Sequence, residues 1–447
     1  MDVEGPCVGN QYAVFSEVEG ASRVVLVEAC LKRSDFTDST ELAHRVAELK
    51  QVLEASLVAK ARAGAISLQA QPYHVVLESP FSELFEYVRL NMRVGNSTAC
   101  TKLTGEEKFD VSLFKLYDAD EELSPDIGDD EESSGVPYKS LLLPSRGLHK
   151  LWENLIFEAP VKDELLDYVE TGMTFAEANI SPQIISWNRM ILFYGPPGTG
   201  KTSISKALAH KLAIRLSDRF EYGQLVEINA HSLMSKFFSE SGKLVSGVFG
   251  KIRELLEERN SFVVVLIDEV ESLSAARKAA MHGSEPSDAI RVVNALLTQL
   301  DTLQSYSNVL VLATSNLTAA IDDAFMDRAD LKLYVGLPSA SACYEILRGA
   351  VEELMRVGIV APRQCLLTHQ SILLLGKDQS TLNCLSVRLL EVAYLCQGFS
   401  GRVLRKLPFL AHALFVREKR ISAGEYVSAL KLAAERTSTQ TLQMQNQ

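Results

Sequence analysis

Gly195-Pro196-Pro197-Gly198-Thr199-Gly200-Lys201-Thr202 follows the apolar run Arg189-Met190-Ile191-Leu192-Phe193-Tyr194 and precedes Ser203-Ile204-Ser205-Lys206-Ala207-Leu208-Ala209-His210-Lys211-Leu212. The first flank reads as a short buried strand and the second as a helix, the setting a phosphate-binding loop requires. Glycines and prolines let the main chain curl so that its N–H groups and the helix N-terminus face the phosphates, and Lys201 adds a full charge. Thr202 offers a hydroxyl to Mg²⁺. The stretch predicts a bound nucleoside triphosphate at Gly195, Pro196, Pro197, Gly198, Thr199, Gly200, Lys201 and Thr202.

At 447 residues the chain is long enough for two or three domains. A hydrophobic share of 47% and a charged share of 23% are ordinary for a globular protein. No apolar run approaches the ~18 residues of a membrane helix, and Met1-Asp2-Val3-Glu4-Gly5 is acidic where a secretory leader is basic. An intracellular protein without a membrane partner is expected. The seven cysteines, Cys7, Cys30, Cys100, Cys343, Cys365, Cys384 and Cys396, are scattered without metal-ligand spacing, as reduced thiols are.

The net charge of -12 is concentrated. Nine acids and no base lie between Asp118 and Glu132, so the rest of the chain is nearly neutral and lacks the basic stripe of a DNA motor. Direct nucleic-acid binding is not expected. The acidic stretch cannot bury enough apolar surface to order itself, so residues 118–138 read as a linker, or as a docking tail for a basic partner.

Upstream, 1–117 reads as a small α/β domain: strands at Gln11–Val18, Arg23–Ala29, Ala65–Leu68 and His74–Leu77, a helix at Thr40–Lys60, and a closing strand at Phe109–Leu116. It carries no catalytic constellation. Strands and helices then alternate to Pro338, as a parallel sheet with crossover helices demands. Beyond Pro338 the pattern is helical. The expected organisation is an N-terminal domain (1–117), a linker (118–138), a large α/β subdomain (139–338) and a small helical subdomain (339–447).

Phe262-Val263-Val264-Val265-Leu266-Ile267-Asp268-Glu269 is a second strand, ending in two carboxylates 67 residues after Lys201. In hydrolysing phosphate-loop enzymes the first acid holds Mg²⁺ through water and the second polarises the attacking water; Asp268 and Glu269 fit those places. A third strand, Val309-Leu310-Val311-Leu312-Ala313-Thr314-Ser315-Asn316, ends in an amide. Asn316 either acts on the lytic water or γ-phosphate or closes the strand as a turn residue.

Asp322-Asp323-Ala324-Phe325-Met326-Asp327-Arg328-Ala329-Asp330 follows, and this order of strand, Asn, Ala-Phe and Arg-x-Asp resembles the AAA+ ATPases. The implied fold is α/β: an AAA+ phosphate-loop parallel sheet with a helical lid, preceded by the small N-terminal α/β domain. ATP is the implied nucleotide, with Mg²⁺. The resemblance makes Arg328 a finger reaching a neighbouring subunit's nucleotide; the alternative is a surface pair with Asp327 or Asp330. Phe399-Ser400-Gly401-Arg402-Val403-Leu404-Arg405-Lys406-Leu407-Pro408 resembles the family's second sensor, with Arg402 on the γ-phosphate and Arg405, one turn on, its rival. In His231 to Lys243, Lys236 and Phe237 resemble the first pore loop, where an aromatic grips an extended chain; the alternative buries Phe237 and Phe238 in the core. Arg277 to Ser287 takes the position of a second pore loop.

A narrower group is resembled by Phe237 to Leu244, Asp268-Glu269-Val270-Glu271-Ser272-Leu273, Glu285 to Ala295 and Ser400 to Pro408. These resemble the pachytene-checkpoint, or thyroid-receptor-interacting, AAA+ ATPases, closely over about 150–415 and loosely over the N-terminal domain. Two departures stand out: Phe237 replaces a tryptophan of animal members, and the acidic linker is longer. The resemblance implies a homohexameric ring that opens closed HORMA-domain protein substrates by tugging a segment through its pore. A HORMA-like adaptor would dock with the N-terminal domain, and the work would lie in the spindle checkpoint or on meiotic chromosome axes, in nucleus and cytoplasm. The rival expectation is a scaffold that assembles on ATP without unfolding anything.

Overall fold

The computed structural model describes residues 24–32, 39–64, 66–68, 73–76, 78–79, 81–92, 101–118, 138–157, 160–178, 180–181, 183–230, 241–273, 288–316, 321, 323–375 and 385–445. The chain divides into two compact units, Met1–Lys115 and Leu116–Gln447. The linker expected at 118–138 falls almost wholly outside the described residues. At its ends Asp118 is paired with Arg146, and Tyr138 already belongs to a strand, so those two residues are not linker.

In the first unit the order is β1 (Val24–Leu31), α1 (Ser39–Arg62), β2 (Ser67–Leu68), β3 (Tyr73–His74), α2 (Phe81–Leu84), β4 (Phe85–Met92), β5 (Thr101–Lys102) and β6 (Lys108–Phe114). Four strands form a sheet in the order β3-β4-β1-β6, with β1 antiparallel to β4 and parallel to β6. Leu53, Leu57 and Ala61, at helical spacing on α1, join Val25, Val27, Val88 and Leu90 in one core. The strand expected at Gln11–Val18 lies outside the described residues. β4 was not anticipated: its register sets Arg89 opposite Glu28, both buried and 3.9 Å apart, and this buried pair hides the alternation that marks a strand.

The second unit continues with β7 (Tyr138–Leu143), α3 (Leu151–Asn154), α4 (Val161–Glu177), β8 (Met190–Tyr194), α5 (Lys201–Arg215), β9 (Tyr222–Asn229), α6 (Ser241–Glu257), β10 (Ser261–Asp268), α7 (Asp288–Leu303), β11 (Val309–Ser315), α8 (Asp323–Arg328) and β12 (Leu331–Tyr334). The sheet order is β12-β8-β11-β10-β9-β7. Every pairing is parallel except that of β7 with β9. Along β10 the side chains alternate between two cores. Val263, Val265 and Ile267 face one with α6 and α7, and Phe262, Val264 and Leu266 face the other with α4 and α5. Burial on both faces is why this strand reads as an unbroken apolar run, each large side chain contributing about 1.5–3 kcal/mol. The sheet thereby carries Asp268 to its C-terminal edge, beside the loop that follows β8.

Five helices close the chain: α9 (Ala340–Arg356), α10 (His369–Leu375), α11 (Leu385–Leu395), α12 (Gly401–Phe415) and α13 (Ala423–Gln445). They have their own core, with Tyr344, Leu347, Leu389, Leu404, Leu407 and Tyr426 fully buried. Pro408 sits inside α12, and its carbonyl accepts the Tyr426 hydroxyl at 2.8 Å. Among the described residues no helix is long and apolar enough to cross a membrane.

Candidate functional site

The loop from Gly195 to Gly200 joins β8 to α5 at the C-terminal edge of the sheet. Gly195, Gly198 and Gly200 take φ of +145°, +77° and +103°, values only glycine adopts freely. Space forbids a side chain at two of them as well. A Cβ on Gly195 would stand 2.3 Å from the Val335 carbonyl oxygen, and one on Gly198 would stand 2.9 Å from Ser400 Oγ. Gly200 caps α5, whose first turn opens with Lys201 and Thr202, so the N–H groups of that turn converge on the loop. Lys201 is buried, and its Nζ donates to the carbonyls of Gly195 (2.9 Å) and Pro196 (2.7 Å). Burial lowers its pKa, against the opposing pull of Glu271 and Asp268 and with the help of Arg402. A triphosphate fits this cradle: it adds negative charge beside a buried ammonium that donates to two neutral carbonyls.

The Thr202 hydroxyl donates to Asp268 Oδ1 at 3.0 Å, which makes the hydroxyl–carboxylate pair where Mg²⁺ is held in such sites. Thr314 on the adjacent strand β11 donates to the same Asp268 oxygen. Its hydroxyl also accepts the main-chain N–H of Glu269 at 3.3 Å. Glu269 lies just beyond β10 with φ of +62°, a left-handed conformation that costs a non-glycine residue about 1–3 kcal/mol and is kept at functional sites. Asn229, at the end of β9, donates to Glu269 Oε2 at 3.4 Å. The second carboxylate is thus aimed by two neighbouring strands.

Asn316 turns to Glu271 rather than to Glu269. Its Nδ2 donates to Glu271 Oε1 at 2.9 Å, and the other oxygen of Glu271 is buried without a partner. Arg328 ends α8 and forms a bidentate pair with Asp301 of α7, Nε to Oδ1 at 2.7 Å and Nη2 to Oδ2 at 2.8 Å. Neither Asp327 nor Asp330, the expected acidic neighbours, takes that bidentate place. Asp330 instead accepts the Tyr168 hydroxyl (2.7 Å) and the Asn188 N–H (2.8 Å).

Ser400 caps α12, accepting from the Val403 N–H at 3.4 Å, and the Arg402 N–H donates to the Gly198 carbonyl at 3.0 Å. The helical subdomain therefore rests its α12 N-terminus on the phosphate loop, with the Arg402 side chain exposed beside it. Arg405, the alternative cation, is turned to the Asn154 carbonyl at 3.0 Å. Lys236 and Phe237, with 277–287, lie outside the described residues.

Two family models match the chain: "ATPase family associated with various cellular activities (AAA)" over residues 191–337 and "TRIP13-like, AAA+ ATPase lid C-terminal domain" over 339–438. A curated "Pachytene checkpoint protein 2 homolog" of Xenopus tropicalis is 53% identical over 307 residues, 69% of this chain and 71% of the relative. The chain belongs to the pachytene checkpoint protein 2 family. The Homo sapiens homolog is 51% identical over 308 residues, again 69% of this chain and 71% of that one. The solved structure of C. elegans PCH-2 superposes with a TM-score of 0.70 at 31% identity, covering 93% of this chain and 100% of that one. Members of the pachytene checkpoint protein 2 family are AAA+ ATPases, and this chain is one. The α/β AAA+ fold with a helical lid, expected from the motifs, is the fold observed.

Sequence reasoning missed Asn229, Thr314, Glu271 and Asp301. Thr314 and Asn229 sit at or beside strand ends next to β10, and a strand order of β11-β10-β9 would have flagged both. Asp301, mid-surface on an amphipathic helix, carries no such signal.

Proposed function

We propose that this ATPase works as a homohexameric ring that converts HORMA-domain proteins from a closed to an open state. It would do so by pulling a segment through its pore, with a HORMA-like adaptor presenting the substrate to the N-terminal unit. Family membership supports the substrate class. The single observation that carries an active motor is the chain of contacts from Thr202 through Asp268 and Thr314 to Glu269 and Asn229, which holds a polarising carboxylate next to the phosphate cradle. A scaffold that only binds ATP has no use for an aimed Glu269.

In this reading ATP sits in Gly195–Thr202, Thr202 and Asp268 hold Mg²⁺, and Glu269 takes the proton of the attacking water. Asn316 orders the water or the γ-phosphate through its contact with Glu271, and Arg402 reports the γ-phosphate to the lid. Arg328 leaves Asp301 and completes the neighbouring subunit's site. Lys236 and Phe237 grip the substrate. The work belongs to the spindle checkpoint or to meiotic chromosome axes, in nucleus and cytoplasm, without direct nucleic-acid or membrane contact.

The test is an ATP-dependent conversion assay with purified closed HORMA clients, with and without adaptor. Wild type shifts the client to the open form, and Glu269→Gln binds ATP without converting it. Full conversion by Glu269→Gln would remove the motor reading, and a wild type that binds ATP and client while leaving the client closed would favour the scaffold.

A further inference from the structure

The turn that leaves β10 carries a third acid, Glu271, beyond Asp268 and Glu269. The Thr314 hydroxyl accepts the Glu269 N–H at 3.3 Å and the Thr314 carbonyl accepts the Val270 N–H at 3.0 Å, so the chain stays tied to β11 past the end of its own strand. The Ser272 N–H then returns to the Glu269 carbonyl at 3.1 Å, and the Ser272 hydroxyl donates to the same oxygen at 2.8 Å. This closed turn fixes the backbone on both sides of Glu271. The Glu271 side chain makes a further tie to the β11 side, where its Oε1 accepts Asn316 Nδ2 at 2.9 Å.

Closing a turn does not require a carboxylate here. Oε2 of Glu271 is buried with no hydrogen-bond partner, a condition that costs free energy and is rare in native proteins. A neutral amide would accept from Asn316 without burying a charge. That charge also reaches the phosphate cradle. Burial is the largest influence on the Lys201 ammonium, but among the charges acting on it Glu271 attracts most strongly, ahead of Asp268. Phosphates bound at Lys201 therefore lie in the negative field of Glu271. An asparagine amide carries two N–H donors, and anchoring one of them on a carboxylate fixes the direction of the other.

We propose that Glu271 is a positioning residue for ATP hydrolysis: it holds the Asn316 amide by one N–H so that the other meets the γ-phosphate or the attacking water, and its charge loosens the site's hold on ADP. The proposal rests on the reading of Asn316 as the residue that orders those groups. Glu271 acts on the reaction through Asn316. It acts on the product through space, because after cleavage the carboxylate still repels the phosphates left beside Lys201. One side chain thus serves both the chemical step and the release that follows it.

The experiment measures single-turnover ATP cleavage, which separates chemistry from product release, and ADP binding by calorimetry, on the full-length protein. The variants are Glu271→Ala, Glu271→Gln, Asn316→Ala and the double variant Glu271→Ala/Asn316→Ala. Glu271→Ala should slow cleavage about tenfold, the scale of one hydrogen bond to a charged group. Glu271→Gln keeps an acceptor for the Asn316 amide and should recover most of that loss. Adding Glu271→Ala to Asn316→Ala should cost little more, because the pair acts as a unit. Both Glu271 variants should bind ADP severalfold more tightly than wild type, since each removes the charge; tight binding also shows that they are folded. Wild-type cleavage by Glu271→Ala, a loss in Glu271→Gln as deep as in Glu271→Ala, or additive losses in the double variant overturns the positioning role. ADP affinity equal to or weaker than that of wild type overturns the role of the charge. Wild-type cleavage by Asn316→Ala alone removes the reading of Asn316, and this proposal with it; slow cleavage there beside wild-type cleavage in Glu271→Ala overturns the role of Glu271 and leaves Asn316 standing.

Discussion

The Arg402 N–H donates to the Gly198 carbonyl at 3.0 Å, so the lid touches the phosphate loop through main chain while the Arg402 side chain stays available for the nucleotide. Arg402→Ala keeps that contact and deletes only the charge. A hydrogen bond to a charged group is worth about 1.5–3 kcal/mol, so ATP turnover should fall roughly 10- to 100-fold with ADP affinity little changed. Arg405→Ala breaks the bond to the Asn154 carbonyl and should lower the melting temperature more than the turnover. Steady-state rates and ADP titrations on both variants decide, and the opposite pattern would hand the sensor role to Arg405.

Thr314 is the joint between the two acids of β10, giving its hydroxyl to Asp268 and receiving the Glu269 N–H. Thr314→Val preserves shape and removes both bonds. The Glu269 N–H then loses its partner, at a cost of about 1–3 kcal/mol, and Glu269 loses the support for its left-handed backbone. The expected result is a raised Mg²⁺ requirement and kcat reduced about tenfold or more, with folding retained by circular dichroism. Normal kcat across a Mg²⁺ series would show that Thr314 is only strand packing.

What could be read in the chain followed from where the physics is local. Gly195 to Thr202 needs special φ and close approach, and β10 is buried on both faces, so composition alone marks each. The contacts of Arg328, Asn229 and Asn316 depend on which strands and helices become neighbours. Adjacent-residue reasoning offers Asp327 and Asp330 for Arg328, but the bidentate partner is Asp301, 27 positions back. β4 escaped for a different reason: Arg89 and Glu28 neutralise each other inside the first unit's sheet, a long-range pairing that makes a buried strand look polar.

Arg328 is held by Asp301, a cis contact that the proposed trans role would have to break. Arg328→Ala and Glu269→Gln should each abolish turnover, because an arginine finger is worth about 10³–10⁵ in rate. Mixing the two should restore part of it. A subunit that carries Arg328→Ala still has its own Glu269, and it borrows Arg328 from a neighbour whose only defect is Glu269→Gln. Activity that stays at zero across all mixing ratios would place Arg328 in its own subunit's chemistry. Asp301→Asn, which loosens the cis pair, should raise wild-type turnover if release limits the rate, and should do nothing in an Arg328→Ala background.

Lys162 opens α4 with its ammonium on the Trp152 carbonyl and 5.3 Å from the Trp152 ring. Burial pushes its pKa down to about 8, outweighing the attraction of Glu153 and joined by repulsion from Lys211. The unfolded chain keeps the ordinary lysine value near 10.5. Below pH 8 both states are charged and the burial penalty is present in full. Between about 8 and 10.5 the unfolded state binds the extra proton, so stability gained by losing the charge rises with pH. Lys162→Met keeps the apolar stem and cannot titrate. The melting temperature of wild type should therefore climb relative to Lys162→Met as pH goes from 8 to 10, measured with ADP held at one concentration. Curves that stay parallel over that window would mean that solvent reaches the ammonium and that the Trp152 contact leaves its titration unaltered.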